Sequence, residues 1–132
     1  MKYLLDTDTC IYALKGKATV LERLLSHGRS EVVVSAITEA ELRTGAAKSS
    51  SPVKTARLVD NFLWPLMVLE FGSFDAVAYA QVRARLERTG TPIGPLDTLI
   101  AAQVIARELI LVSNNEREFG RVRGLRVENW AA

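Results

Sequence analysis

Lys2-Tyr3-Leu4-Leu5-Asp6-Thr7-Asp8 is the stretch around which the rest of the chain is organised. A short apolar run that ends at once in polar residues predicts a short buried strand. Such a strand delivers Asp6 at its C-terminal end, and in open parallel sheets the ligand crevice lies outside the carboxyl ends of the strands. Asp6 is therefore a candidate for chemistry, together with the side chains that the fold brings to the same edge.

The composition indicates one compact domain spanning residues 1–132. Hydrophobic residues make up 48% of the chain, and the net charge is +2 from 17 basic and 15 acidic residues. The surface is therefore mixed, which gives no general electrostatic attraction for nucleic acid. One cysteine, Cys10, and one histidine, His27, exclude an intrachain disulfide and a Cys/His zinc site by count.

The start of the chain does not match a secretory signal, because Asp6 and Asp8 interrupt the apolar stretch too early. No apolar run approaches the ~18–20 residues that a membrane span requires. We therefore expect a soluble cytoplasmic protein without a membrane partner.

Strand and helix patterns alternate along the chain. Apolar runs bounded by turn residues predict strands at the start and over 31–35, 67–69, 109–112 and 125–128. Helical spacing predicts helices over 7–15, 18–27, 38–47, 53–63, 74–88 and 98–107, with a short one from residue 116. This order predicts a three-layer α/β/α sandwich with a mainly parallel sheet of about five strands.

Polar side chains follow the predicted strands where each strand ends. Asp6 follows the first strand, and Glu41 lies one turn into the helix after the second. Asn115, Glu116 and Glu118 follow the fourth strand. Because the carboxyl ends of parallel strands meet at one edge of a sheet, we expect these side chains on the same face.

Asp97 is a further candidate, since it begins a predicted helix after the Gly94-Pro95 turn. Carboxylates brought together repel one another, so the cluster is unfavourable unless it is protonated or bridged by a cation. Hard oxygen ligands without histidine or cysteine indicate Mg²⁺ or Mn²⁺. The joint placement of the acids predicts a divalent-metal site.

Each acid also has a structural explanation, and the residues alone leave both open. Asp6 is suited to cap the helix that follows it, and Asp97 would favourably face a helix N-terminal dipole. Two segments match the capping box, Thr38-x-x-Glu41 and Ser113-x-x-Glu116. The second match makes Glu116 a structural residue in this interpretation.

Several other side chains are predicted to be structural. We expect Cys10 to be a small buried residue, His27 to be a solvated surface residue, and Trp64 and Trp130 to pack in the interior. Three arginines of one predicted helix are expected on a solvated face, with phosphate contact as the alternative: Arg83, Arg85 and Arg88.

Four segments, in their order and spacing, resemble one known family. They are Leu4-Leu-Asp6-Thr-Asp8, Ser35-Ala-Ile-Thr38-Glu-Ala-Glu41-Leu42, Gly94-Pro-Leu-Asp97-Thr-Leu-Ile-Ala101 and Val112-Ser-Asn-Asn115-Glu-Arg-Glu118-Phe119. The family is that of the PIN-domain ribonucleases, and the VapC toxins of type II toxin–antitoxin pairs resemble the chain most. The resemblance covers nearly the whole chain, from Tyr3 to Trp130.

The resemblance implies a Mg²⁺- or Mn²⁺-dependent endoribonuclease that cleaves structured RNA, such as tRNA or rRNA, to 5′-phosphate and 3′-hydroxyl ends. It also implies a cognate antitoxin and a homodimer. Carried over by motif, Asp6, Glu41 and Asp97 are the catalytic acids that hold the metal, with Asp6 and Asp97 as direct ligands.

The chain departs from the family pattern at two positions. Many members have an aspartate where this chain has Asn115, so Asn115 offers a neutral oxygen and no charge. Glu118, one helical turn further on, is predicted to supply the missing carboxylate, which makes Asn115 and Glu118 part of the expected catalytic set. Asp8 stands where the family often has asparagine and is a second candidate for that charge.

Two alternatives remain open from the sequence. The Asp6-Thr7-Asp8 segment after an apolar strand also resembles haloacid dehalogenase-type phosphatases, although the glycine usual after the second aspartate is missing. The other alternative is a catalytically weak PIN domain that holds RNA or a partner, given Asn115.

Overall fold

Five short strands form the centre of the fold in a computed structural model that describes the whole chain apart from the side chain of Arg29. They are β1 (Tyr3–Leu5), β2 (Val32–Ser35), β3 (Met67–Leu69), β4 (Ile110–Val112) and β5 (Val127–Glu128). The sheet order is β3-β2-β1-β4-β5, and every pair of neighbouring strands is parallel. Because β1 lies in the middle, Asp6 leaves the sheet at the centre of its carboxyl edge.

Seven α-helices flank this sheet. They are α1 (Thr7–Leu14), α2 (Ala18–Ser26), α3 (Ala36–Ala47), α4 (Pro52–Leu63), α5 (Ser73–Arg88), α6 (Pro95–Ala106) and α7 (Glu116–Phe119). Within the described part of the chain, no helix combines the length and apolar character that crossing a membrane requires.

The two faces of the sheet carry separate apolar clusters. Leu5 and Val34 point to one face, where they pack with residues of α1 to α4. Leu4 and Val33 point to the other face, where they pack with residues of α5 and α6. Strands buried on both faces read as continuous apolar runs, which is why the runs of β1 and β2 predicted the three-layer parallel sandwich correctly.

Two helices begin two or three residues earlier than the sequence pattern predicts. Helix α3 begins at Ala36 instead of Thr38, because Oγ of Ser35 accepts a hydrogen bond from the backbone N–H of Ile37 at 3.1 Å. Helix α6 begins at Pro95, since proline fits a first helical position where no N–H donor is needed. Asp97 therefore lies inside the first turn of α6.

The side chains outside the acidic group give mixed outcomes. Trp130 and Cys10 are buried, as predicted. Trp64 follows the last residue of α4 and is 89% exposed, so its predicted packing role is wrong. The solvated position predicted for His27 is also wrong, because its ring stacks on Trp130 with the ring centroids 5.3 Å apart. The three arginines of α5 are exposed, as predicted.

Candidate active site

Asp6 is a buried carboxylate at the N-terminus of α1. Its Oδ1 accepts a hydrogen bond from the backbone N–H of Thr9 at 2.8 Å, so the capping role predicted for it is confirmed. Burial raises the pKa of Asp6; hydrogen bonds from Ser113 and Thr9 act in the opposite direction, and the charge of Asp8 raises it further. The cap gives the Asp6 carboxylate a hydrogen bond but no countercharge. A capping role alone does not require a buried charge, because an uncharged asparagine caps a helix about as well.

Glu41, in α3, contacts the first residue of α1. Its Oε1 accepts a hydrogen bond from Oγ1 of Thr7 at 2.6 Å, and the same Thr7 oxygen lies 3.0 Å from Oγ1 of Thr38. The predicted capping box of Thr38 and Glu41 is wrong, because Ser35 caps α3. Thr7 was not predicted as a site residue, because its only signal in the sequence is its position directly after Asp6.

Asp97 is partly buried in the first turn of α6. Burial and the charges of four other acids raise its pKa to about 6. Those acids are, in decreasing order of effect, Glu118, Asp6, Glu41 and Asp8. The acids that act on Asp97 belong to separate segments of the chain: the start of α1, helix α3 and helix α7.

Glu118 and Asn115 lie beside Asp97. Oε1 of Glu118 accepts a hydrogen bond from the backbone N–H of Gly94 at 2.8 Å, and Oε2 accepts one from Nδ2 of Asn115 at 2.7 Å. These two hydrogen bonds lower the pKa of Glu118. A methyl group added at Gly94 would lie 3.6 Å from Oδ2 of Asp97 and 3.8 Å from Oε1 of Glu118.

Glu116 belongs to a different environment. Its Oε2 accepts a hydrogen bond from Nδ2 of Asn129 at 3.1 Å. The predicted capping box of Ser113 and Glu116 is wrong, because α7 begins at Glu116 with Asn115 as its N-cap residue. Oγ of Ser113 accepts from the backbone N–H of Asn115 at 2.9 Å, before the helix begins. Ser113 therefore holds Asn115, a role that was not predicted although Ser113 directly follows β4.

The acidic group offers the carboxylate oxygens that hard divalent cations prefer as ligands. Among the side chains that the structure describes, no lysine or arginine forms an ion pair with Asp6, Glu41 or Asp97. Clustered carboxylates without a countercharge repel one another, and a bound cation removes that cost. The described residues contain no set of three closely grouped ligands, so the acids are a spaced group and not a preformed cage.

Comparisons with known proteins show the family of the chain. The family model of the PIN domain matches residues 3–125. The "tRNA(fMet)-specific endonuclease VapC" of Salmonella typhimurium is 40% identical over 130 residues, which are 98% of each chain. The "Ribonuclease VapC2" of Haemophilus influenzae is 39% identical over 98% of each chain.

Solved structures show the same similarity in three dimensions. The crystal structure of DNA-bound VapBC from Salmonella typhimurium contains a chain that superposes with a TM-score of 0.95 at 41% identity, covering 98% of both chains. In VapBC2 of Rickettsia felis bound to a promoter DNA fragment, the TM-score is 0.90 at 36% identity, covering 98% of this chain and 99% of the other.

Proposed function

The chain belongs to the PIN-domain family of VapC ribonucleases, and on that premise we propose that it is the metal-dependent endoribonuclease toxin of a toxin–antitoxin pair. The observation that carries the proposal is the group of Asp6, Glu41 and Asp97 at the carboxyl edge of the sheet, with its mutual repulsion and no basic partner among the described side chains. An acidic group of this kind suits phosphodiester hydrolysis only if a cation neutralises it.

In the proposed site, Asp6 and Asp97 hold a divalent cation, Mg²⁺ or alternatively Mn²⁺, with Glu41 as a third acid. A bound divalent cation lowers the pKa of a coordinated water and offsets charge on the phosphoryl oxygens. The Thr7 hydroxyl fixes one oxygen of Glu41, which leaves its other oxygen to orient the attacking water. Asn115 and Glu118 complete the proposed site.

The proposed substrate is structured RNA, and tRNA is the first choice. Two relatives that are 40% and 37% identical to this chain are described as tRNA(fMet)-specific endonucleases. Single-stranded loops of folded RNA expose the backbone for attack. The proposed products carry 5′-phosphate and 3′-hydroxyl ends, because water attacks phosphorus and the 3′ oxygen leaves.

The proposed protein partner is a cognate antitoxin, since the similar solved structures are described as VapBC complexes. We also propose a homodimer, for which the exposed apolar side chains of Trp64 and Phe74 provide surface to bury. Because its proposed target is RNA, we propose the cytoplasm as its compartment.

The test is cleavage of a tRNA pool by the purified chain with and without Mg²⁺, followed by sequencing of the RNA ends. We expect cleavage that requires the metal and is lost in Asp6→Asn and Asp97→Asn. Cleavage that persists in a chelator, or at full rate in both variants, would contradict the proposal. RNA retained but left intact would instead favour the binding module.

The family assignment argues against the phosphatase alternative. Its mechanism would make Asp6 a nucleophile that forms a covalent aspartyl-phosphate. A failure to trap an aspartyl-phosphate on Asp6 would agree with this conclusion.

A further inference from the structure

Glu118 and Asn115 form a hydrogen-bonded pair that reaches the turn in front of Asp97. Both carboxylate oxygens of Glu118 are engaged, one by the backbone N–H of Gly94 and the other by Nδ2 of Asn115. We propose that Glu118 is a positioning residue, which holds the Gly94 turn and through it Asp97, and is not itself a metal ligand. The inference rests on the proposed function, because it assigns a role within the same site.

The Gly94 turn determines where Asp97 lies. The carbonyl oxygen of Gly94 accepts hydrogen bonds from the backbone N–H of Thr98 at 2.9 Å and from Oγ1 of Thr98 at 2.8 Å. Gly94 is thereby fixed to the first turn of α6, in which Asp97 lies. A movement of Gly94 therefore moves the Asp97 carboxylate with it.

Glu118 connects this turn to the loop after β4. Its partner Asn115 is anchored there, since the backbone N–H of Asn115 donates to Oγ of Ser113 at 2.9 Å. A continuous set of hydrogen bonds thus runs from Ser113 through Asn115 and Glu118 to Gly94, directly before the helix that carries Asp97.

The two roles of Glu118 make opposite predictions about chemistry at positions 115 and 118. A ligand requires a carboxylate at position 118, and an added carboxylate at position 115 would strengthen the site. A positioning residue requires only the hydrogen-bond pattern, so an added carboxylate at position 115 would face Glu118 across the present 2.7 Å contact and repel it.

An exchange variant separates these roles. In Asn115→Asp with Glu118→Gln, the glutamine carbonyl accepts from Gly94 and its amide donates to the new aspartate. This double variant keeps the net charge and both hydrogen bonds of the original pair. The single changes Asn115→Asp and Glu118→Ala each break the pair, and Asn115→Ala is a milder control that removes one hydrogen bond.

Two measurements are made on each folded variant, with circular dichroism as the check on folding. One is the affinity for Mn²⁺ by calorimetry, and the other is the hydrogen-exchange rate of the Gly94 amide in the metal-free protein. Outer-shell partners of metal-binding carboxylates typically contribute 10–100-fold in metal affinity. We therefore expect Asn115→Asp and Glu118→Ala to weaken Mn²⁺ binding at least about 10-fold and to speed exchange at Gly94.

The exchange variant should return the Mn²⁺ affinity to within about threefold of the original, which is well inside the range for a lost outer-shell partner, and restore slow exchange at Gly94. The inference is overturned if the exchange variant binds Mn²⁺ as weakly as Glu118→Ala, if Asn115→Asp binds it more tightly than the original chain, or if no variant changes either measurement. RNA cleavage by the unmodified chain is tested separately: its absence would refute the proposed function, whereas Mn²⁺ affinity and Gly94 exchange still decide the role of Glu118.

Discussion

Replacing Asp6 by asparagine should abolish cleavage without destabilising the metal-free protein. Asparagine caps helices about as well as aspartate, and its carbonyl oxygen can accept the 2.8 Å hydrogen bond from the Thr9 N–H. Burial raises the pKa of Asp6 in the folded chain. The folded state therefore loses stability as pH rises above the ordinary value of 3.8, because the unfolded chain ionises more readily. Asparagine does not ionise, so the variant avoids this loss of stability at neutral pH.

Asp6→Ala is the matched control, since it removes the charge and the cap together. Losing the cap leaves the buried N–H of Thr9 without a partner, which costs about 1–2 kcal/mol. For a chain of this size the melting temperature falls by about 4 °C for each kcal/mol. Both variants should lose at least about 100-fold in cleavage rate, because a lost metal ligand exceeds the 10–100-fold typical of outer-shell partners.

The assay combines thermal unfolding of the metal-free proteins at neutral pH with Mg²⁺-dependent cleavage of tRNA. We expect Asp6→Asn to melt at or above the temperature of the unmodified protein, and Asp6→Ala to melt below it. The reasoning is refuted if Asp6→Asn melts as low as Asp6→Ala, since the cap would then depend on the charge. It is also refuted if Asp6→Asn cleaves tRNA at the original rate.

Three further predictions follow from individual contacts. Thr7→Val removes the hydroxyl that is hydrogen-bonded to Glu41, so it should lower the rate of RNA cleavage about 10-fold. Thr7→Ser keeps the hydroxyl and should keep the original rate. Initial rates of cleavage by the two variants test this prediction. Burial and neighbouring acids raise the pKa of Asp97 to about 6. The affinity for Mn²⁺ should therefore fall up to about tenfold per pH unit below that value and level off above it. Calorimetry at several pH values measures this, and an affinity that does not change with pH would contradict the prediction. Arg107→Ala should lower the midpoint of unfolding in urea, since the buried Asp75 carboxylate loses the Arg107 nitrogens at 3.0 and 3.1 Å.

The fold was predictable because its signals are local. The uninterrupted apolar runs of β1 and β2 indicated strands buried on both faces, and the alternation of strands with helices left few topologies open. Helix starts were less predictable, since they depend on which neighbouring residue supplies the cap. Ser35 rather than Thr38 caps α3, and both have the hydroxyl that a cap needs.

The acidic group was predictable for a topological reason. Asp6 and Glu41 each follow a strand of one parallel sheet, so their convergence depends only on the strand order. The hydroxyl of Thr7 on Glu41 was not predictable, because it depends on how α1 and α3 pack. Trp64 shows the same limit, since no local pattern distinguishes an exposed tryptophan after a helix from a buried one.

The arrangement around Gly94 explains why position 118 can carry a carboxylate beside an acidic site that already repels it. A second carboxylate next to Asp97 is costly when no hydrogen bonds stabilise its charge. Among the neighbouring charges, that of Glu118 has the largest effect on the pKa of Asp97. Hydrogen bonds from Asn115 and Gly94 hold Glu118 ionised. An aspartate at position 115 would place a third carboxylate close to those of Asp97 and Glu118, and would remove the hydrogen bond that Asn115 donates to Glu118. Asn115 is therefore compatible with Glu118 in a way that an aspartate at this position would not be, and the two residues have to be interpreted as a pair.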